Sequence, residues 1–323
     1  MKILVTGGAG YIGGFMVDRL LEDGHEVFVA DSLERGHMEA VSEKARFLQG
    51  NLLDKSFVES LFKDKKYDAV IHFAGFISMG ESMENPYFYF SNNTLASLNI
   101  LEEMVESGND NFIFSSSAGV YGNPVKIPIP EDHPTNPENP YGESKLMVEK
   151  LMKWYGKTKN IHSVALRYFN AAGASLDGKR GENHDPESHI IPNIISSILQ
   201  NKPFELFGND YKTKDGTCVR DYIHVLDLVE AHLLAIEKLK NSPGNYIYNV
   251  GTGHGYSNRQ VIEMVEKVSG RRAQVKDSPR RPGDADELVA EASKINKELG
   301  FSPKYSDLKT IVKTAWNYHA SRE

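Results

Sequence analysis

Ile3-Leu4-Val5-Thr6-Gly7-Gly8-Ala9-Gly10-Tyr11-Ile12-Gly13-Gly14 is the stretch on which the fold turns. A β-branched run closed by glycines reads as a short buried strand. A helical pattern then runs through Leu21, and a second apolar run, Val27-Phe28-Val29-Ala30, ends in Asp31. Glycines permit a tight turn, and their missing side chains let a pyrophosphate reach the backbone. The helix that follows points its N–H groups and positive dipole end at such an anion. Asp31, about twenty residues past the glycines, can accept hydrogen bonds from both ribose hydroxyls of an adenosine and would repel a 2′-phosphate. The expected ligand is NAD, not NADP.

Outward from that stretch, strand-like runs recur at Arg46–Gln49, Ala69–Phe73, Phe112–Ser115 and Ser163–Leu166. Helical patterns fall between them near Ser56–Lys63, Asn92–Val105 and Gly142–Lys157. Strands alternating with helices predict an α/β fold, a doubly wound, Rossmann-type parallel sheet covered on both faces. Beyond Gly173 the alternation weakens. The expected division is a dinucleotide domain over 1–173 and a smaller substrate-binding region over 174–323. The segment 222–251 is expected to return to the first domain, because Tyr246-Ile247-Tyr248-Asn249-Val250 reads as one more strand.

In such sheets ligands lie beyond the carboxyl ends of the strands, where Phe73-Ala74-Gly75 and Ser115-Ser116-Ser117 stand. Tyr141-Gly142-Glu143-Ser144-Lys145 opens a predicted helix just after Pro140. Residues four apart share a helix face, so Tyr141 and Lys145 can address one ligand. A tyrosine with a pKa of about 10 is a poor base at neutral pH. A neighbouring ammonium and a bound cationic nicotinamide would favour its phenolate. A strand-tip serine can hold a substrate hydroxyl and relay its proton toward Tyr141. Physics alone leaves Ser116 and Ser117 both open for that place.

With these residues in view the chain resembles the UDP-galactose 4-epimerases, nearly end to end. The resemblance is carried by Val5–Gly13 with its GxxGxxG spacing, Ile71–Gly75, Gly80-Glu81-Ser82, Phe114–Gly122 and Leu166–Asn170. Phe207–Tyr211, Asp215-Gly216-Thr217 and Val219–His224 are its most specific parts. The resemblance implies an enzyme that oxidises sugar C4 with bound NAD, turns the 4-keto sugar, and returns the hydride to its other face. UDP-galactose and UDP-glucose are then the partners. It also implies Tyr141 as base, Ser117 as catalytic serine, and Lys145 holding the nicotinamide ribose.

The same resemblance implies a cofactor site of Gly7, Gly10, Tyr11, Ile12, Gly13, Asp31, Ser32, Asn51, Leu52, Phe73, Ala74, Gly75, Asn92, Ser115, Tyr168 and Phe169. It implies a substrate grip from Asn170, Arg220, Arg281 and Asp284, with Ile190, Leu206, Phe207 and Leu288 lining the pocket and His189 approaching the uracil. A guanidinium fork suits diphosphate oxygens in any case. Departures are Asn51 for an adenine-contacting aspartate, Ile77 for a lysine, and Gly119 for a threonine. Helices near Asn92–Val105 and Leu146–Tyr155 match those that pair two subunits, so a homodimer is expected.

The competing readings are a dehydratase, a uronate epimerase or decarboxylase, and a non-catalytic NAD-binding protein. Dehydration calls for an acidic pair where this chain has Ala118-Gly119, and a non-catalytic relative should have lost Tyr141 or Lys145. A net charge of -7 disfavours nucleic acid as a partner. The single cysteine, Cys218, excludes an intrachain disulfide, and the first apolar run is too short for a signal core or membrane helix. A cytoplasmic protein is expected. His184, His189 and His224 have neither a cysteine nearby nor an HExxH pattern, so no metal is expected.

Overall fold

The computed structural model describes residues 1–281 and 284–322. These divide into two compact units. The first comprises Met1–Tyr121, Thr135–Arg167 and Val229–Tyr248; the second comprises Gly122–Pro134, Tyr168–Leu228 and the described residues from Asn249 onward. The first unit therefore ends six residues before Gly173, and the returning segment is Val229–Tyr248 rather than 222–251. Gly122–Pro134 leaves the first unit because Ile129 is spoken for elsewhere. Its N–H donates to Val289 O at 2.8 Å and its carbonyl accepts from Glu291 N at 2.9 Å.

The first unit carries a seven-stranded sheet. From edge to edge its order is Asn245–Val250, His162–Tyr168, Asn111–Ser117, Ala69–His72, Lys2–Thr6, Glu26–Asp31 and Arg46–Gln49. Lys2–Thr6 pairs in parallel with Glu26–Asp31 on one side and Ala69–His72 on the other. The chain thus winds outward to one edge, returns past its starting strand, and winds to the other. A ligand crevice belongs at that reversal, beyond Thr6. The strands are apolar without alternation because both sheet faces are covered. Leu4, Val70, Phe112 and Phe114 meet Ile100, Met104 and Val148 from the helices in one buried cluster. Full burial of such side chains stabilises by about 1.5–3 kcal/mol each.

Two helices matter for the site. Tyr11–Glu22 leaves the glycine turn, and Pro140–Lys159 carries Tyr141 and Lys145. The second begins where Asn139 Oδ1 accepts from Gly142 N–H at 2.9 Å, with Pro140 in the first turn. It ends at Asn160, whose φ of 58° is left-handed. The helical run expected over Asn92–Val105 is longer and interrupted: Pro86–Tyr89, a π-helical stretch Phe90–Leu95, then Ala96–Glu106. A π insertion shifts the facing of the residues it contains, and such insertions gather at functional sites.

In the second unit Val219–His224 is the hub, pairing with Asn170–Ala172, Gly255–Ser257 and Glu287–Leu288. Pro203–Phe207 pairs with Gln274–Ser278. Ile191, Ile194, Ile195 and Ile198 of the helix Ile190–Leu199 pack with Tyr222, Val261 and Ile311 into the core.

Candidate active site

The glycine turn is built to leave backbone bare. Gly7 has a φ of 74°, and a Cβ there would lie 2.5 Å from Ala74 N. A Cβ at Gly13 would lie 2.2 Å from Gly7 O. The helix that starts after Gly10 has no side-chain cap and no acid in its first turn. Its first N–H groups are thus presented toward whatever lies in front, which is what a pyrophosphate needs. Asp31, at the tip of the next strand, accepts from Ala9 N at 3.0 Å and Leu33 N at 2.9 Å, which fixes its carboxylate against the turn. Ser32 Oγ accepts from Glu34 N–H and Asn51 Oδ1 from Leu53 N–H, and Leu52 is buried. The base of the turn is held by His72, whose ring nitrogens bond Thr6 Oγ1 at 2.6 Å and Ser97 Oγ at 2.8 Å. Burial pushes that imidazole down to about 3, with Lys145 adding to the effect.

Tyr141, Lys145 and Ser117 come together. Tyr141 hydrogen-bonds Ser117, and Ser117 Oγ accepts from Gly119 N–H at 3.0 Å. Lys145 Nζ donates to Ser115 O at 2.8 Å and lies 5.0 Å above the Phe114 ring and 5.9 Å from that of Tyr141. A Cβ at Gly142 would lie 2.6 Å from Gly119 O, so glycine lets the helix close on the serine turn. Burial raises the Tyr141 phenol above its ordinary range, and the Ser117 hydrogen bond only opposes it. Desolvation is the larger effect on this phenol; the expected help toward the phenolate was that of the ammonium together with a bound cationic nicotinamide. Burial also pushes the Lys145 amine down to about 8.

The choice among the serines is made by packing. Ser116 Oγ donates to Glu149 Oε1 at 2.6 Å, and Glu149 is gripped by Arg167 at 2.9 and 2.6 Å. Arg167 also donates to Tyr121 Oη at 2.9 Å. Ser116 faces into this buried network, and alternation along the strand turns Ser117 toward Tyr141. Asn93 belongs to the same interior. It accepts from Phe76 N at 2.8 Å and donates to Phe76 O at 3.0 Å and Ser144 Oγ at 3.1 Å. Asn92, on the π stretch, is half-buried beside it.

In the second unit Arg220 is buried and pairs with Asp284 at 3.1 Å. Arg281 lies 4.7 Å over the Phe207 ring and 3.9 Å from Asp284. Asn170 is in register with Tyr222, and Leu288 with Arg220. The Tyr222 hydroxyl is buried with no hydrogen-bond partner among the described residues, and Arg220, Arg281 and Asp284 all act on it electrostatically. An orphaned hydroxyl among arginines is a place for an anionic oxygen.

The family of NAD dependent epimerases and dehydratases matches residues 3–251. The chain belongs to the NAD dependent epimerase/dehydratase family. It is 46% identical over 322 residues to the UDP-glucose 4-epimerase of Lactobacillus helveticus, covering 99% of this chain and 98% of that one. The UDP-glucose 4-epimerase from Brucella ovis, solved in complex with NAD, superposes with a TM-score of 0.93 at 42% identity, over 98% of this chain and 97% of that one. The enzyme from Bifidobacterium longum, solved with NAD+ and UDP, gives a TM-score of 0.94 at 36% identity, over 99% and 98%.

For a member of the NAD dependent epimerase/dehydratase family, several expected residues take particular places. Leu206 is fully buried in the apolar core, and Ile190 packs against the same core from the start of its helix. Tyr168 and Phe169 are buried where the first unit gives way to the second. His189 Nδ1 contacts Glu182 and lies 3.6 Å from Glu187, so that side of the ring is occupied by carboxylates. His184 joins the same two glutamates. His224 bonds Thr314 Oγ1 at 3.0 Å and supports Leu226 N–H, a structural role. Tyr222 and Asn93 were missed. Tyr222 was legible as the residue alternating with Arg220 along one strand face. Asn93 depends on the π insertion, for which the sequence carries no marker.

Proposed function

We propose that this chain interconverts UDP-galactose and UDP-glucose, with NAD as a reagent restored in every turnover. The observation that carries the reading is the meeting of Ser117, Tyr141 and Lys145 beside a bare glycine turn, in a chain whose relatives match it end to end. When bound, NAD supplies a cationic ring that accepts the hydride of sugar C4 and later returns it. Gly7, Gly10 and Gly13 suit its pyrophosphate, Asp31 its ribose hydroxyls, and Lys145 its second ribose.

Tyr141 takes the proton of the sugar 4-hydroxyl and gives it back on the return, so the two half-reactions balance in protons as well as in hydride. Ser117, bonded to the phenol, holds the same oxygen and passes the proton along. Arg220, Arg281 and Asn170 hold the diphosphate, Asp284 orients Arg220, and Tyr222 donates its unspent hydroxyl to the same anion. Phe207 and Leu288 line the nucleotide. An anchored UDP lets the ketone turn without escaping, which is binding energy used for the chemistry. On this reading the first unit serves NAD and the second UDP.

Exposed Leu95, Met147 and Trp154 on the helices around 96–106 and 140–159 support a homodimer through those helices. The lone cysteine supports a reducing, cytoplasmic setting. Among the described residues no helix is long and apolar enough to cross a membrane. Incubation of the purified protein with UDP-galactose, followed by chromatography, tests the central claim. UDP-glucose is expected to form with no net reduction of NAD, and its absence at every temperature would end the proposal.

A further inference from the structure

The loop between the strand Asn170–Ala172 and the helix Ile190–Leu199 carries Glu182, His184, Glu187 and His189. One ligating atom from each of the four lies within 4.8 Å of all the others. Both imidazoles turn Nδ1 toward the same oxygen of Glu182: His184 lies 3.0 Å from it, and His189 is in direct contact. Glu187 Oε1 stands 3.8 Å from His184 Nδ1 and 3.6 Å from His189 Nδ1. The Glu182 side chain is only 3% exposed.

We propose that these four side chains bind one zinc-class divalent ion. Zinc takes imidazole nitrogen and carboxylate oxygen at about 2.0–2.2 Å, which sets tetrahedral ligand edges at roughly 3.3–3.5 Å. The separations in the loop straddle that length, from the direct His189–Glu182 contact up to 4.8 Å, so closing on an ion needs shifts of about 1 Å. The charges balance either way: two protonated histidines offset the two glutamates when no ion is present, and a divalent cation would take the place of those two protons. Four protein ligands complete a tetrahedron and leave no open position, so the site is structural, not catalytic. Glu187 Oε1 also accepts from Ser188 N at 2.7 Å and His189 N at 2.8 Å, which orients its carboxylate for ligation. Asn193 Nδ2 donates to His189 O at 2.8 Å, tying the cluster to the first turn of the helix. The ion would clamp the loop onto that helix.

The rival account is a metal-free set of His–Glu ion pairs, and the experiment separates the two. Untagged full-length protein is dialysed against zinc, then against metal-free buffer, and its metal is counted by mass spectrometry. About one zinc per chain is expected. His184→Gln and His189→Gln, checked for fold by circular dichroism, should each lose at least nine-tenths of it. Cobalt substituted for zinc should give the intense visible absorption of a tetrahedral ion. Because wild-type protein can itself be stripped with a chelator, a variant that fails to fold does not stall the test. Stripping should lower the melting midpoint by several degrees, and zinc should restore it. Less than a tenth of an equivalent in the wild type, full zinc content in both variants, a weak octahedral cobalt spectrum, or a midpoint indifferent to stripping would each overturn the proposal.

Discussion

The two helices that serve the reaction begin in opposite ways. Tyr11–Glu22 starts from Gly10 with no side-chain cap and no acidic residue in its first turn. Pro140–Lys159 starts from Asn139, whose side chain caps it, with Glu143 in the first turn. An uncapped helix start is unfavourable for an isolated helix, because orphan N–H groups go unmet. At Gly10 the proposed function gives the orphans a partner, the pyrophosphate of NAD. At Asn139 they are satisfied internally, and what the helix offers is two side chains held in fixed rotation. One end binds with backbone, the other acts with side chains, and each tolerates what the other does not.

Three substitutions break or sharpen that contrast. The largest effect is expected at the capped end: Tyr141→Phe should lower turnover about 10²–10⁴-fold while leaving fold and NAD content unchanged, since one general acid–base group is worth that much. Steady-state kinetics alongside NAD quantification would decide it, and unaltered turnover would remove the phenol from its role. At the open end, Gly13→Ala places a methyl 2.2 Å from Gly7 O. Overpacking of that kind costs about 1–3 kcal/mol and distorts the turn, so the purified variant should have lost most of its NAD. A full cofactor load would show that the turn has room to spare. The smallest effect is Asn139→Ala, expected to cost about 1 kcal/mol in denaturant unfolding, with NAD content untouched. An equal loss of NAD there would erase the contrast between the two ends.

Much of this was legible because it is local. The glycine turn, its strand, its helix and Asp31 follow one another within the first thirty-one residues, and at Gly7 and Gly13 a side chain would strike backbone. The choice between Ser116 and Ser117 was not legible, because it is made by Glu149 and Arg167, which arrive from another helix and another strand. Domain boundaries moved for the same reason, since Gly122–Pro134 follows the backbone bonds of Ile129 to a distant segment. The histidines of the 182–189 loop were read without their glutamates, because the familiar metal spacings are helical or cysteine-rich and this one lies in a loop. The burial of Tyr141, which raises its pKa, was not legible, because a sequence shows neighbours but not burial.

Lys145 has one consequence beyond positioning. It sits in the interior on a backbone carbonyl and an aromatic face, and burial lowers the pKa of its amine. When it carries its proton, a charge held that dry is a strong source of potential in a poorly screened medium. Any hydroxyl nearby that sheds its proton relieves that potential, so the pocket rewards anions as they form. The adversary of such a device is solvent: a crack that wetted the Phe114 ring would dull it without touching any reacting atom.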